Sequence, residues 1–249
     1  MKKLGLIDVL WLSLDSLKNQ PSLVAPIFFS CILGLMVFSF VFGGVSSISE
    51  LLELVPQLLV ENFYQLLILS VIIYLIIICG ASVVCGMTKV GIATGNSSVV
   101  AGSEEAETHI FSVIVAFLIV GIISGILLIG GIVAVFQIAP EPGMVSALLY
   151  AFVILLGFML GILFLYTLPA IIVDELDSIT AIGLSIGIVL NHLRDSMVLA
   201  VFALILLSAV YIVSLFLTGV IHFLVFLGLT SFVVTVVVIA VTVDYVNLK

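Results

Sequence analysis

Charged residues divide this chain into long apolar stretches. No Asp, Glu, Lys or Arg occurs from Asn19 to Ser49, Asn62 to Thr88, Thr108 to Pro140, or Pro142 to Val173. Each stretch holds one helix of about 20 residues, the length that crosses ~30 Å of hydrocarbon, and none comfortably holds two. The run from Ser196 to Val243 is 48 residues long, with Thr218-Gly219 near its middle and His222 beside them. Two helices joined by a short turn fit there. The pattern therefore predicts six transmembrane helices, near 23–44, 64–87, 110–136, 145–168, 197–217 and 222–243. They form one membrane domain covering residues 1–249.

Two further segments are amphipathic and too polar to span. In residues 4–19, Leu6, Ile7, Leu10, Leu14 and Leu17 share a helical face opposite Asp8 and Asp15, with Trp11 and Lys18 at the margin. Pro21 then stops the helix. In residues 176–193, Ile179, Ile182, Ile186, Val189 and Leu193 make one stripe. Asp174, Asp177, Ser178, Ser185 and His192 make the other. Both read as helices lying in the membrane boundary.

Composition explains why helices are the only option. The chain is 64% hydrophobic and 8% charged, against about 25% charged in soluble domains. Backbone facing lipid must satisfy its own hydrogen bonds, so helices or a closed barrel are required. Barrel strands alternate apolar and polar residues, whereas Leu66–Cys79 is almost continuously apolar. The fold class is all-α, a polytopic membrane helical bundle. No cleavable signal peptide is expected, because Asp8 and Asp15 interrupt the first apolar stretch.

Charge gives the orientation. Lys2, Lys3, Lys18, Lys89, Arg194 and Lys249 all fall on the side of the N-terminus once six spans are threaded. The opposite loops, near 45–63, 137–144 and 218–221, carry Glu50, Glu53, Glu61 and Glu141 but no Lys or Arg. Positive residues stay cytoplasmic, which places both termini in the cytoplasm of a cell-membrane protein. The net charge of −8 and the lack of a basic patch argue against nucleic acid. Membrane lipids are the expected partners, with a protein partner or a second copy as further candidates.

Internal repetition is faint. Ser13 and Asn19 in the first amphipathic segment are matched by Ser185 and Asn191 in the second, and each segment precedes a helical hairpin. With Lys89 to His109 before the middle hairpin, the chain reads as three units of about 85 residues, a pattern common in membrane folds.

Candidate chemistry is sparse. Gly121 and Gly125, and Gly157 and Gly161, have the spacing that lets helices approach closely, either within the chain or in a dimer. Gly91 and Gly95, and Gly183 and Gly187, repeat it at the membrane edge. Asp174, Glu175 and Asp177, followed by His192 and Arg194, form an interfacial polar cluster. It reads either as a cation or headgroup site or as helix capping and dipole pairing. Glu104, Glu105 and Glu107 read as a solvated helix start. Cys31, Cys79 and Cys85 fit no metal spacing. Gln137, Tyr74 and Tyr166 read as ordinary membrane polar residues. No Asp, Glu, Lys or Arg lies deep in a predicted span, which argues against an ion-coupled pump. Nucleotide-loop, esterase-elbow and zinc-protease motifs are absent. No catalytic residue, cofactor or bound metal is expected.

Some residues carry a likeness. These are Ile7-Asp8-Val9-Leu10 with Ser13-Leu14, Leu17-Lys18-Asn19-Gln20-Pro21 and Pro26, then Gly86-Met87-Thr88-Lys89. They continue with Leu168-Pro169-Ala170-Ile171-Ile172-Val173-Asp174-Glu175, Ser178-Ile179-Thr180-Ala181-Ile182, Ser185 and Val243-Asp244-Tyr245. Together they resemble a broad prokaryotic family of six-helix integral membrane proteins related to the membrane domain of some glycerophosphodiester phosphodiesterases. The likeness implies a six-helix membrane fold. These 249 residues contain no phosphodiesterase barrel, so it implies no enzyme activity. The remaining function classes are a scaffold, accessory or partner-binding bundle, a permease or transporter subunit for a small solute, and a lipid-headgroup enzyme using Asp174, Asp177 and His192.

Overall fold

The computed structural model describes residues 4–42, 63–139, 143–215 and 219–249. Residues 43–62, with Glu50, Glu53 and Glu61, residues 140–142, with Glu141, residues 216–218 and the side chain of His222 lie outside the described residues. Every regular element among the described residues is helical. Helix α1 is Leu6–Asn19, followed by a 3-10 turn at Pro21–Val24 and α2 at Ala25–Phe42. Then come α3 (Phe63–Thr94), α4 (Val99–Ile138), α5 (Met144–Leu163) and α6 (Thr167–Asp174). The chain closes with α7 (Ser178–Asn191), α8 (Leu193–Leu215) and α9 (Gly219–Leu248). Six helical segments are long and apolar enough to cross a membrane: Pro21–Val41, Leu67–Thr94, Val99–Ile138, Met144–Asp174, Leu193–Ser214 and Leu224–Leu248. The chain is a polytopic, multi-pass helical bundle.

Both ends meet at one edge of the bundle. The Leu4 N–H donates to Asn247 Oδ1 at 2.8 Å, and Asn247 Nδ2 returns a bond to the Leu4 carbonyl at 3.1 Å. Two ends at one edge are what an even number of crossings requires. Lys249 reaches Asp174, and Lys89 reaches Glu175, so the α3–α4 turn and the end of α6 share this terminal edge. The core is richest here, where Ile27, Val84, Met87, Tyr166, Ile171, Leu199, Ile239 and Tyr245 are fully buried. Lipid tails are as apolar as leucine, so close packing rather than water exclusion holds such helices together.

Helices α3 and α4 form an antiparallel hairpin turned at Gly95–Ser98. Gly95 has φ +78°, a left-handed position that glycine occupies without steric cost. Ser98 caps α4 by accepting the Ala101 N–H at 3.1 Å. Forty residues of α4 make about 60 Å of helix, roughly twice the hydrocarbon thickness. The segment 89–109 is therefore the tip of a long hairpin and not a third interfacial helix. The triplicated pattern fails there, while α1 and α7 keep the separate helices expected of them.

Of the four glycines expected to bring helices together, only Gly157 makes a close approach. A Cβ on Gly125 or Gly161 would meet nothing within 4 Å, and one on Gly121 would make only ordinary contact with Tyr74. Gly157 is close to Leu128, a flexible side chain. Close backbone approach occurs instead between Gly86 and Gly102. A Cβ on Gly86 would stand 2.6 Å from the Gly102 carbonyl, and one on Gly102 would stand 2.8 Å from the Val83 carbonyl. Gly80 faces the Pro26 carbonyl of α2 in the same way, at 2.9 Å.

Among the described side chains of the two apolar stripes, only Leu17 and Val189 are buried where the amphipathic helices dock. Helix α1 buries Val9, Ser13 and Leu17 and leaves Ile7, Trp11 and Leu14 exposed. Helix α7 buries Ser178, Ala181, Ser185 and Val189 and exposes Ile179. Large apolar side chains at a membrane boundary are satisfied by lipid, which frees the small and polar stripe to pack on protein.

Candidate functional site

The polar groups of the terminal edge gather around a break in the fourth span. Pro169 has no N–H, so the chain cannot run helically from Leu163 into α6 without losing a bond. Phe164–Tyr166 form tight turns instead, with Leu165 N bonded to Ile162 O and Thr167 N to Phe164 O. Ser185 of α7 repairs the gap. Its hydroxyl donates to the Leu163 carbonyl at 2.8 Å and accepts the Tyr166 N–H at 3.0 Å. Side-chain repair of this kind is what lets a broken helix survive in a bilayer. Ser178 similarly donates to the Ser112 carbonyl at 2.8 Å, tying α7 to α4.

The break turns Tyr166 inward. Its ring is fully buried, and its hydroxyl donates to Asp244 of α9 at 2.6 Å. Ser196 of α8 adds a bond to the same hydroxyl at 3.3 Å. The next residue on α9, Tyr245, donates in the opposite sense to Asp174 at 2.5 Å. Two tyrosine–carboxylate bonds thus cross between the broken span and α9, each helix giving one tyrosine and one acid. The rings lie 6.3 Å apart. Lys249 Nζ completes Asp174 at 2.6 Å. His192 and Asp195 are the ionisable neighbours of Asp244.

A second cluster sits at the hairpin tip. Lys89 pairs with Glu105 at 2.7 Å and Glu175 at 3.1 Å. Glu175 ends α6 in the left-handed region at φ 58°. The Lys89 ammonium holds its carboxyl below the usual carboxylate range. Glu105, His109 and Glu175 bring one ligand atom each within 4.8 Å of one another. The Lys89 ammonium already bonds both carboxylates, so a cation would have to displace it.

The predicted polar cluster therefore does not converge. Asp177 is the N-cap of α7, accepting from Ile179 N and Thr180 N, both at 3.2 Å. Hydrogen bonding to Thr180 holds its carboxyl below the usual range. His192 follows the last turn of α7, about 21 Å of helix away. Arg194 is exposed and makes no ion pair among the described residues. Asp174 and Glu175 point to separate partners. The capping alternative holds for Asp177, and a joint Asp174–Asp177–His192 centre does not form.

Tyr166, Asp244, Tyr245 and Lys249 were not readable as a group. Asp244 falls one residue past the last uncharged run, yet α9 continues to Leu248 and leaves it 2% exposed. A buried carboxylate is thus present in the closing turns of the last span, and Tyr166 is its donor rather than an ordinary membrane polar residue.

Two cavities flank these networks. One, of about 590 Å³, lies among α1, the hairpin tip and the end of α9. The other, of about 310 Å³, opens beside the break and is lined by Tyr74, Phe117, Phe164, Leu168, Pro169 and Val238. Compared with family models, curated proteins and solved structures, the chain finds no match.

Proposed function

We propose that this chain is a non-enzymatic multi-pass protein of the cell membrane, with both termini cytoplasmic. It acts as a scaffold or accessory bundle for a protein partner. The observation that carries this reading is the commitment of the edge carboxylates. Asp174 and Asp244 are held by tyrosines, Glu105 and Glu175 by Lys89, and Asp177 by a helix end. Groups engaged this way rigidify a surface and are poorly placed to exchange protons with a substrate. Lys89 and Lys249 stand at the terminal edge, which the positive-inside rule assigns to the cytoplasm.

The test is chemical crosslinking in the native membrane, followed by purification in mild detergent. One second protein is expected to copurify in fixed ratio across detergents. Recovery of this chain alone under every condition contradicts the reading.

A permease of a small apolar solute is the second reading. It is favoured by one feature, since interrupted spans recur at transporter binding sites and the 310 Å³ cavity adjoins the break. Ser185 closes the freed backbone groups at that break, which favours the scaffold.

A further inference from the structure

We infer that the 590 Å³ cavity at the terminal edge binds a phospholipid bearing a primary ammonium headgroup, as phosphatidylethanolamine does. The cavity sits where the membrane boundary must fall. Its floor consists of Leu23, Met87, Ile239 and Val243, from segments that cross the bilayer. Its rim consists of Asp15, Asn19, Gln20, Ser97 and Asn247. An apolar floor under a polar rim matches an amphiphile lying with its chain inward and its headgroup at the surface. Helix α1, which supplies much of the rim, exposes Ile7, Trp11 and Leu14 on its other side. That places α1 itself at the lipid–water boundary.

Two observations select the occupant. Asp15 is the one charged residue lining the cavity among the described residues. Its carboxylate attracts an ammonium and repels a phosphate that has no ammonium beside it. A primary ammonium also offers three N–H donors, for Asp15 and for the side-chain oxygen of Asn19. A quaternary choline offers none.

The second observation concerns the wall. Gly91 and Gly95 of the hairpin tip line the cavity, so bare backbone, not side chains, leaves the volume open. A Cβ at Gly91 would meet only Ser97, at an ordinary 3.5 Å. A larger residue can therefore fill the cavity without disturbing the hairpin.

The chain's single tryptophan, Trp11, lies on the far side of α1 from the cavity, so it is replaced by phenylalanine and a reporter is introduced as Leu12→Trp, at a residue that lines the cavity. The full chain is reconstituted in bilayers containing increasing fractions of brominated phosphatidylethanolamine, phosphatidylcholine or phosphatidylglycerol, and quenching of the introduced tryptophan is followed. Brominated phosphatidylethanolamine is expected to reach half-quenching at about a threefold lower fraction than the other two, the size of one partly exposed ion pair. Asp15→Asn is expected to erase that preference. Gly91→Leu is expected to erase it with the acid still present. Equal quenching by all three lipids overturns the inference, and so does a preference that survives both substitutions. Relief of quenching by millimolar free ethanolamine would assign the site to a soluble amine and overturn the lipid reading.

Discussion

Gly102→Leu is expected to cost about 3 kcal/mol of bundle stability, the upper part of the range for over-packed sites. The reason is that, besides the Met87 side chain, two backbone atoms stand in the way. Any Cβ at residue 102 falls 2.8 Å from the Val83 carbonyl and 2.9 Å from the Met87 nitrogen. Neither atom can rotate away, so α3 and α4 must separate. The Lys89–Glu105 bond, one turn further along the hairpin, is strained by the same movement. Gly102→Ala is expected to show much of the effect, because the clash begins at Cβ. Gly125→Leu is the control, since open space faces it. Denaturation in mixed micelles with increasing sodium dodecyl sulfate measures all three. A Gly102→Leu protein as resistant as the wild type would show that the hairpin does not pack through this glycine.

The second large effect lies at the buried acid. Tyr166→Phe keeps the ring and removes the hydroxyl that donates to Asp244 at 2.6 Å. Asp244 is 2% exposed, so water cannot replace the donor. Losing one partner of a buried, charge-assisted bond costs about 1.5–3 kcal/mol. Replacing both groups by apolar ones is often far milder than breaking the pair. Tyr166→Phe combined with Asp244→Leu is therefore expected to recover part of the stability lost by Tyr166→Phe alone. The same micellar denaturation, run as a double-mutant cycle, gives the coupling energy. Additive losses would mean that the two side chains do not interact.

The architecture was legible where it depends on length and charge. The long uncharged runs fixed six spans, because the bilayer imposes one helix length on any sequence. The terminal edge carries Lys89 and Lys249, two of the cations that the charge pattern assigns to one side. Pro21 and the amphipathic pattern before it marked α1 correctly. The site was much less legible, for physical reasons. Tyr166 and Asp244 are 78 residues apart in sequence, and no local pattern records a pairing across two helices. Asp244 follows an apolar run, so it reads as the polar end of a span, whereas α9 continues past it. The glycines were misjudged because spacing alone cannot show which face of a helix meets a neighbour. Gly121 and Gly125 have the favoured period but face open space or a single ring, while Gly86 and Gly102 have no glycine four residues away and carry the closest backbone approach. Serines 178 and 185 were placed on the face opposite the apolar stripe, with no partner named for them. In a bilayer the large apolar side chains go outward, and the serines turn in to mend a broken helix.

The central claim is that six crossings bring both ends, the α3–α4 tip and the start of α8 to one face. Single cysteines introduced as Lys18→Cys, Ser97→Cys, Arg194→Cys and Lys249→Cys test it, alongside Gly143→Cys at the α4–α5 turn. Cys31, Cys79 and Cys85 are first replaced by alanine, and sealed vesicles of known orientation are treated with an impermeant maleimide. The first four sites are predicted to label from one side of the membrane and Gly143→Cys only from the other. Labelling of residues 18 and 249 from opposite sides, or of 97 and 143 from the same side, would contradict the bundle described above.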